Sequence, residues 1–162
     1  MSNNQLSYAV GELLQKCGQT LSIAETCTGG LLGHQLTNVP GSSHYFLGGI
    51  IAYSNVITEY MLRVNYDTFM EHGAISEPMA LEMARGVREL FRTGVGLSVV
   101  GIAGPGGGTL ETPVGLVYVG LSAQNEECHR FIFESDREGN KASASMAALE
   151  ILVSYLQGSL KK

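Results

Sequence analysis

Apolar residues recur along this chain at two spacings, one helical and one strand-like, and the switches between them mark out its elements. Leu6, Ala9, Val10, Leu13 and Leu14 share one helical face and predict a helix over 6–17, which Gly18 stops. The apolar run 21–24 is too short for a helix and predicts a buried strand; a helix-compatible segment, 31–37, follows a polar, glycine-containing break. Pro40-Gly41-Ser42-Ser43 predicts a turn whose hydroxyls cap a short helical segment. Residues 48–53 are apolar and glycine-rich, a strand that another backbone or a ligand approaches closely. Ser54-Asn55 opens a helix over 56–62, and 66–71 predicts a short one.

Ser76-Glu77-Pro78 combines a capping hydroxyl, an acid in the first turn and an early proline, so a helix starts there. Met79, Ala80, Met83, Ala84, Val87, Leu90 and Phe91 then form one apolar face, the spacing of a core-packing helix. Residues 96–102 predict a second buried strand. Residues 114–123 and 129–133 predict a hairpin that turns through Gln124-Asn125-Glu126-Glu127. The last helix covers 141–156, with Ala142, Met146, Leu149, Val153 and Leu156 on one side. Strands and helices that alternate early, then a hairpin, then a closing helix, predict an α/β fold: one layered α/β/α domain with a mixed sheet. It spans 1–162, with its core at 6–157.

Composition narrows the function. A chain of 162 residues makes one domain and buries roughly 68–70% of its unfolded surface. Charged residues are 15% of the chain and glycines number 21, which points to tight turns and to surface hidden in a homo-oligomer. A net charge of −5 argues against a nucleic-acid binder, because phosphate contacts need clustered Lys and Arg. The only basic cluster, Lys161-Lys162, is read as a solvated tail. Cys17, Cys27 and Cys128 are too few and scattered for a disulfide framework or a zinc site. His34, His44, His72 and His129 show no metal-ligand spacing, so no metal is expected. The polar N-terminus lacks a signal-peptide core and no apolar run reaches the ~20 residues of a membrane span, so a reducing cytoplasm is the simplest setting.

Candidate chemistry gathers in three loops, each after a predicted strand: 26–30, 53–55 and 101–108. Ligands in open α/β sheets bind beyond the carboxyl ends of strands, so the three are expected to converge. In the first, Ala24-Glu25-Thr26-Cys27-Thr28-Gly29-Gly30 delivers hydroxyls and free backbone N–H groups to a helix start. Such a turn can hold an anion or present a nucleophile. Cys27 there is also a candidate thiolate, although no histidine partner is evident. The third loop, Gly104-Pro105-Gly106-Gly107-Gly108-Thr109, lacks the Lys-Ser/Thr ending of a nucleotide P-loop. It is interrupted by proline and is a poor dinucleotide fingerprint. It remains a backbone surface able to approach phosphate or ribose.

In order, the first motif, Pro40-Gly41-Ser42-Ser43, Tyr53-Ser54-Asn55, His72-Gly73-Ala74-Ile75-Ser76, 101–108 and Pro113-Val114-Gly115 resemble the CinA C-terminal domain family. That family includes the stand-alone nicotinamide-nucleotide amidases, and the resemblance covers about 6–157. It implies hydrolysis of nicotinamide mononucleotide to nicotinate mononucleotide and ammonia. A serine after the motif's glutamate attacks the amide, a lysine is its base, and backbone N–H groups stabilise the oxyanion. No metal or organic cofactor is implied; the partner is a small pyridine nucleotide, not a nucleic acid or membrane. The implied ligand wall is Cys27, Thr28, Gly29, Gly30, Ser42, Tyr53, Ser54, Asn55, Val100, Gly101, Ala103, Gly104, Gly106, Gly107 and Lys141.

This chain departs from the pattern where the chemistry lies. Thr26 stands at the serine position and Thr58 at the lysine position. Val100 replaces a hydroxyl residue, and Lys141 stands at an arginine position. Thr26 keeps a hydroxyl but its methyl stiffens χ1. Thr58 cannot take a proton at neutral pH, and loss of a general base costs on the order of 10²–10⁴ in rate. Three readings follow. The first is a ligand-binding homologue with little or no amidase activity. The second is an amidohydrolase using Thr26, with His44 or a water held by Glu25 as base. The third is a structural or partner-binding subunit.

Overall fold

The computed structural model describes residues 3–160. The chain folds as α1 (Asn3–Cys17), β1 (Leu21–Glu25), α2 (Leu31–Thr37), a 3-10 turn (Ser42–His44), β2 (Phe46–Ile51), α3 (Asn55–Leu62), α4 (Tyr66–His72) and α5 (Glu77–Phe91). Then come β3 (Val95–Gly101), β4 (Leu116–Ser122), β5 (Glu126–Ile132) and α6 (Arg137–Ser159). The strands make one five-stranded sheet in the order β2-β1-β3-β4-β5. β1 is parallel to β2 and β3, whereas β4 is antiparallel to β3 and β5. The expected mixed sheet and layered α/β architecture are therefore present.

Strand alternation sorts the core into two layers. Leu21, Ile23, Val95, Leu97 and Val99 pack with α1, α2 and α6. Ala24 and Val100 pack with Leu62, Met79, Met83 and Val87 on the other face. α5 lies close to the sheet because small residues face it. Ser98 Oγ donates to the Ala80 carbonyl at 2.6 Å. A Cβ at Gly96 or Gly120 would run into the Ala84 or Ala80 carbonyl oxygen. The abundant glycine is thus partly a packing requirement of this helix.

Several boundaries differ from the sequence reading, each for a local reason. The last helix starts at Arg137, because the Asp136 carboxylate accepts from Gly139 N–H at 2.8 Å and outweighs the poor helix propensity of Gly139. β2 runs over Phe46–Ile51, and just beyond it the Ala52 N–H donates to the backbone carbonyl of Glu25. β5 begins at Glu126, so the hairpin turns through 123–125. Its early residues are exposed and polar, and Arg85 holds the Glu126 carboxylate.

Candidate functional site

Because β1, β2 and β3 are parallel, the loops that follow them leave the same end of the sheet, the carboxyl end of these strands. They converge on a pocket of about 260 Å³ on the α5 side. Thr26, Cys27, Tyr53, Asn55 and Thr58 line it, as do Val100, Gly101, Ala103, Gly104, Gly106 and Gly107. Its apolar floor comes from Phe69, Ile75, Met79 and Met83. Met79 and Met83 are core residues, as their spacing predicts, and they also form pocket wall.

The first loop is built differently from the expected anion cradle. The Glu25 carboxylate is buried and turns back under the start of α2. It accepts from the N–H groups of Gly30 at 3.0 Å, Leu32 at 3.2 Å and Gly33 at 2.9 Å. The donors that a helix start leaves open are therefore satisfied inside the chain. Glu25 is a capping group, not a holder of a catalytic water. Thr26 is pinned to β3 by its N–H, 2.9 Å from the Val99 carbonyl, and its Oγ1 donates to the same oxygen at 3.3 Å. Thr28, Gly29 and Gly30 do not line the pocket among the described residues. Thr28 is fully buried with Oγ1 unpartnered, and Gly30 lies against Ile51 on the opposite face.

The second loop caps α3. Ser54 Oγ accepts from Ile57 N–H at 3.4 Å, so Ser54 supports the loop rather than lining the pocket. Thr58 is buried one turn into α3, and its hydroxyl donates to the Ser54 carbonyl at 3.1 Å. The third loop is tethered from α6. Asn140 Nδ2 donates to the Ala103 carbonyl at 3.0 Å. Arg137 donates to the Gly104 carbonyl at 2.6 Å and to the Tyr53 hydroxyl at 3.0 Å. One guanidinium thus joins the second and third loops and lines the pocket itself.

Burial pushes the Cys27 thiol up to about 11, against weaker opposing hydrogen bonds from Thr26 and the backbone of Cys27 and Thr28. It is a thiol at neutral pH, which removes the thiolate reading. Among the described residues no cluster of His, Cys, Asp or Glu could hold a metal. No helix there is long and apolar enough to cross a membrane.

The sequence signature of the CinA C-terminal domain matches residues 3–156. This chain belongs to the CinA C-terminal domain family. A putative competence-damage inducible protein of Halothermothrix orenii is 49% identical over 154 residues, which is 94% of this chain and 37% of that protein. The chain thus spans about a third of the length of the curated relatives it matches. The crystal structure of the competence/damage inducible protein CihA from Agrobacterium tumefaciens superposes with TM-score 0.93 at 34% identity, covering 97% of this chain and 96% of that one. The competence damage-inducible protein A from Klebsiella pneumoniae gives TM-score 0.94 at 30% identity, covering 97% and 98%.

Within this CinA-family fold three residues expected at the site stand outside the pocket. Ser42 belongs to the 3-10 turn before β2, at the end of the sheet where Leu21 N–H meets the Tyr45 carbonyl. That is the end opposite Thr26, so Ser42 does not line the pocket, and His44 beside it cannot serve as base. Lys141 lies one turn beyond Arg137, with Nζ 3.9 Å from where a Gly29 Cβ would stand, outside the lining. The cation of the pocket is Arg137. Its signal was present in the sequence as an arginine next to a capping Asp136. Phe69 and Ile75 were also missed, since nothing in their local pattern separates pocket floor from ordinary core.

Proposed function

We propose that this chain binds a pyridine nucleotide of the nicotinamide mononucleotide type beside Thr26 and hydrolyses its amide poorly or not at all. The observation that carries this reading is Thr58. It stands where the family resemblance implies a lysine, and its hydroxyl is engaged with the Ser54 carbonyl. No histidine, lysine, aspartate or glutamate is among the described residues lining the pocket. A Thr26 hydroxyl without a base loses the proton transfer worth on the order of 10²–10⁴ in rate. Binding is supported separately. The floor of Phe69, Ile75, Met79 and Met83 suits a flat ring, and Arg137 with the glycine backbone suits an anionic group. Free Cys17, Cys27 and Cys128 fit a reducing compartment such as the cytoplasm.

The test has two arms. Purified protein should release no more ammonia from nicotinamide mononucleotide than a Thr26→Ala control. Release clearly above the control overturns the inactive reading in favour of Thr26 as nucleophile. Millimolar nicotinamide or nicotinate mononucleotide should raise the melting temperature, because a ligand of the native state stabilises it by mass action. Absence of a shift favours a structural or partner-binding subunit. Thr26→Ser with Thr58→Lys should restore turnover.

A further inference from the structure

The pocket is walled by two kinds of element. Thr26 and Ala103 stand on loops that leave the sheet, and Met79 and Met83 stand on α5, which packs close on it. Phe69 and Ile75 come instead from the excursion 65–75, which holds α4 and joins it to α5. The chain on either side of that excursion is anchored. Before it, Val64 is buried, and the Leu62 carbonyl lies where a Cβ at Gly86 of α5 would stand. After it, Ser76 caps α5 and its hydroxyl donates to the Gly73 carbonyl at 3.1 Å. What lies between is held lightly. α4 has seven residues, too few for a helix that is stable through its own backbone. Tyr66, Asp67, Met70 and Glu71 are exposed. The tie from the body of the protein is Glu82 of α5, whose carboxylate accepts from the Asn65 N–H at 2.8 Å and from the Thr68 hydroxyl at 2.6 Å. At the far end of α4, Gly73 has φ 76° and ψ 169°, a backbone conformation essentially confined to glycine. Nothing lies within 4 Å of where its Cβ would stand, so this glycine serves the backbone and not close packing.

We infer that α4 is a hinged wall of the pocket, turning at Asn65 and Gly73, and that Glu82 is the latch that holds Phe69 against a bound ring. The inference rests on the reading that the pocket takes a nucleotide with a flat ring. Glu82 is not among the lining residues; it acts through α4 and is a positioning residue. Elements that move for ligands are drawn from the least stable parts of a fold, and a short helix tied by one carboxylate is such a part. A ring in the pocket meets Phe69 only while α4 is in place, and that differential contact is what draws the wall closed.

Hydrogen exchange read by mass spectrometry tests the hinge first without ligand. Amides of 66–72 should be protected at least about tenfold less than those of α5. Glu82→Ala should lower the protection of 66–72 by at least about a further tenfold and leave β1 and β3 unchanged. Saturating nicotinamide mononucleotide should raise the protection of 66–72 in the unaltered chain by at least about tenfold. In stopped-flow displacement the nucleotide should leave Glu82→Ala at least about fivefold faster than the unaltered chain. Glu82→Gln keeps one acceptor oxygen and should fall between the two. Protection of 66–72 equal to that of α5, or indifferent to Glu82→Ala, overturns the inference. So does a nucleotide that binds without protecting 66–72, or that leaves Glu82→Ala no faster. Failure of the nucleotide to bind the unaltered chain overturns the ligand reading instead, and the hinge and its latch are then decided by the ligand-free exchange.

Discussion

The turn after β1 and the loop after β3 leave the same end of the sheet, and in sequence both are glycine-bearing breaks after a buried strand. They complete their hydrogen bonding in opposite ways. In the first, N–H groups of α2 converge on Glu25, a residue of the preceding strand. In the second, the carbonyls of Ala103 and Gly104 are held by Asn140 and Arg137 from a helix more than thirty residues away. The helix-start donors of the first turn are closed by its own carboxylate. The second is tethered from outside, and Gly106 and Gly107 remain at the pocket. A strand–glycine–helix pattern is therefore an anion site only where no carboxylate of the same chain already occupies the donors.

The largest effect should come from Glu25→Ala. It strands three donors of a buried turn, and denaturant unfolding should show a loss of about 3 kcal/mol. Glu25→Gln, which keeps an acceptor, should lose less. A loss from Glu25→Ala below about 1 kcal/mol would break the contrast, because the turn would not depend on its internal cap.

Arg137→Ala should act on the loop after β3 and on Tyr53, which it ties to that loop, and leave the first turn intact. Titration calorimetry should show nucleotide affinity at least about tenfold weaker, with stability changed by only about 1 kcal/mol, since the lost hydrogen bonds are partly exposed. Equal loss of stability and affinity would mean that the tether is part of the core. Arg137→Lys keeps the charge without the fork that bridges Gly104 and Tyr53, and should recover only part of the binding.

The smallest effect sharpens the first turn further. The folded Cys27 thiol titrates near 11, above its ordinary value of 9.0. The folded state therefore holds this proton more tightly than the unfolded chain. Its contribution is fully present below pH 9.0 and is lost as pH rises through about 11. Cys27→Ala should flatten the decline of melting temperature across that window. An unchanged decline would assign it to other groups, with Cys128, pushed up to about 12 by burial and Glu77, the next to replace.

Much of the fold was legible locally. The Ser76-Glu77-Pro78 start is realised as a cap in which Ser76 Oγ accepts from Met79 N–H at 3.4 Å. The stripe from Met79 to Val87 faces the sheet because its spacing admits one buried side, whereas Leu90, expected on the same face, is exposed. The edge strand β5 was misplaced because its first residues are exposed and carry no apolar alternation. The site was legible in part. Parallel strands made the convergence of three loops an inference from topology, and Thr26, Tyr53, Asn55 and Thr58 meet there. Lys141 and Ser42 stand outside the pocket lining, because proximity to a motif along the chain says nothing about which end of a strand or which turn of a helix faces a pocket.

The sequence by itself determined the layered α/β class, the family and the residue types at the chemical positions, Thr26 and Thr58 among them. These follow from periodicity, turn chemistry and motif order, all of which act over a few residues. Tertiary structure decided which polar groups are still open to a ligand. Glu25 closes one turn, Arg137 bridges two others, and β2 and β5 become the opposite edges of the sheet, one without charges and one with them. The reason is physical: a donor's availability depends on every acceptor that folding brings within about 3 Å of it, and those acceptors lie elsewhere in the chain.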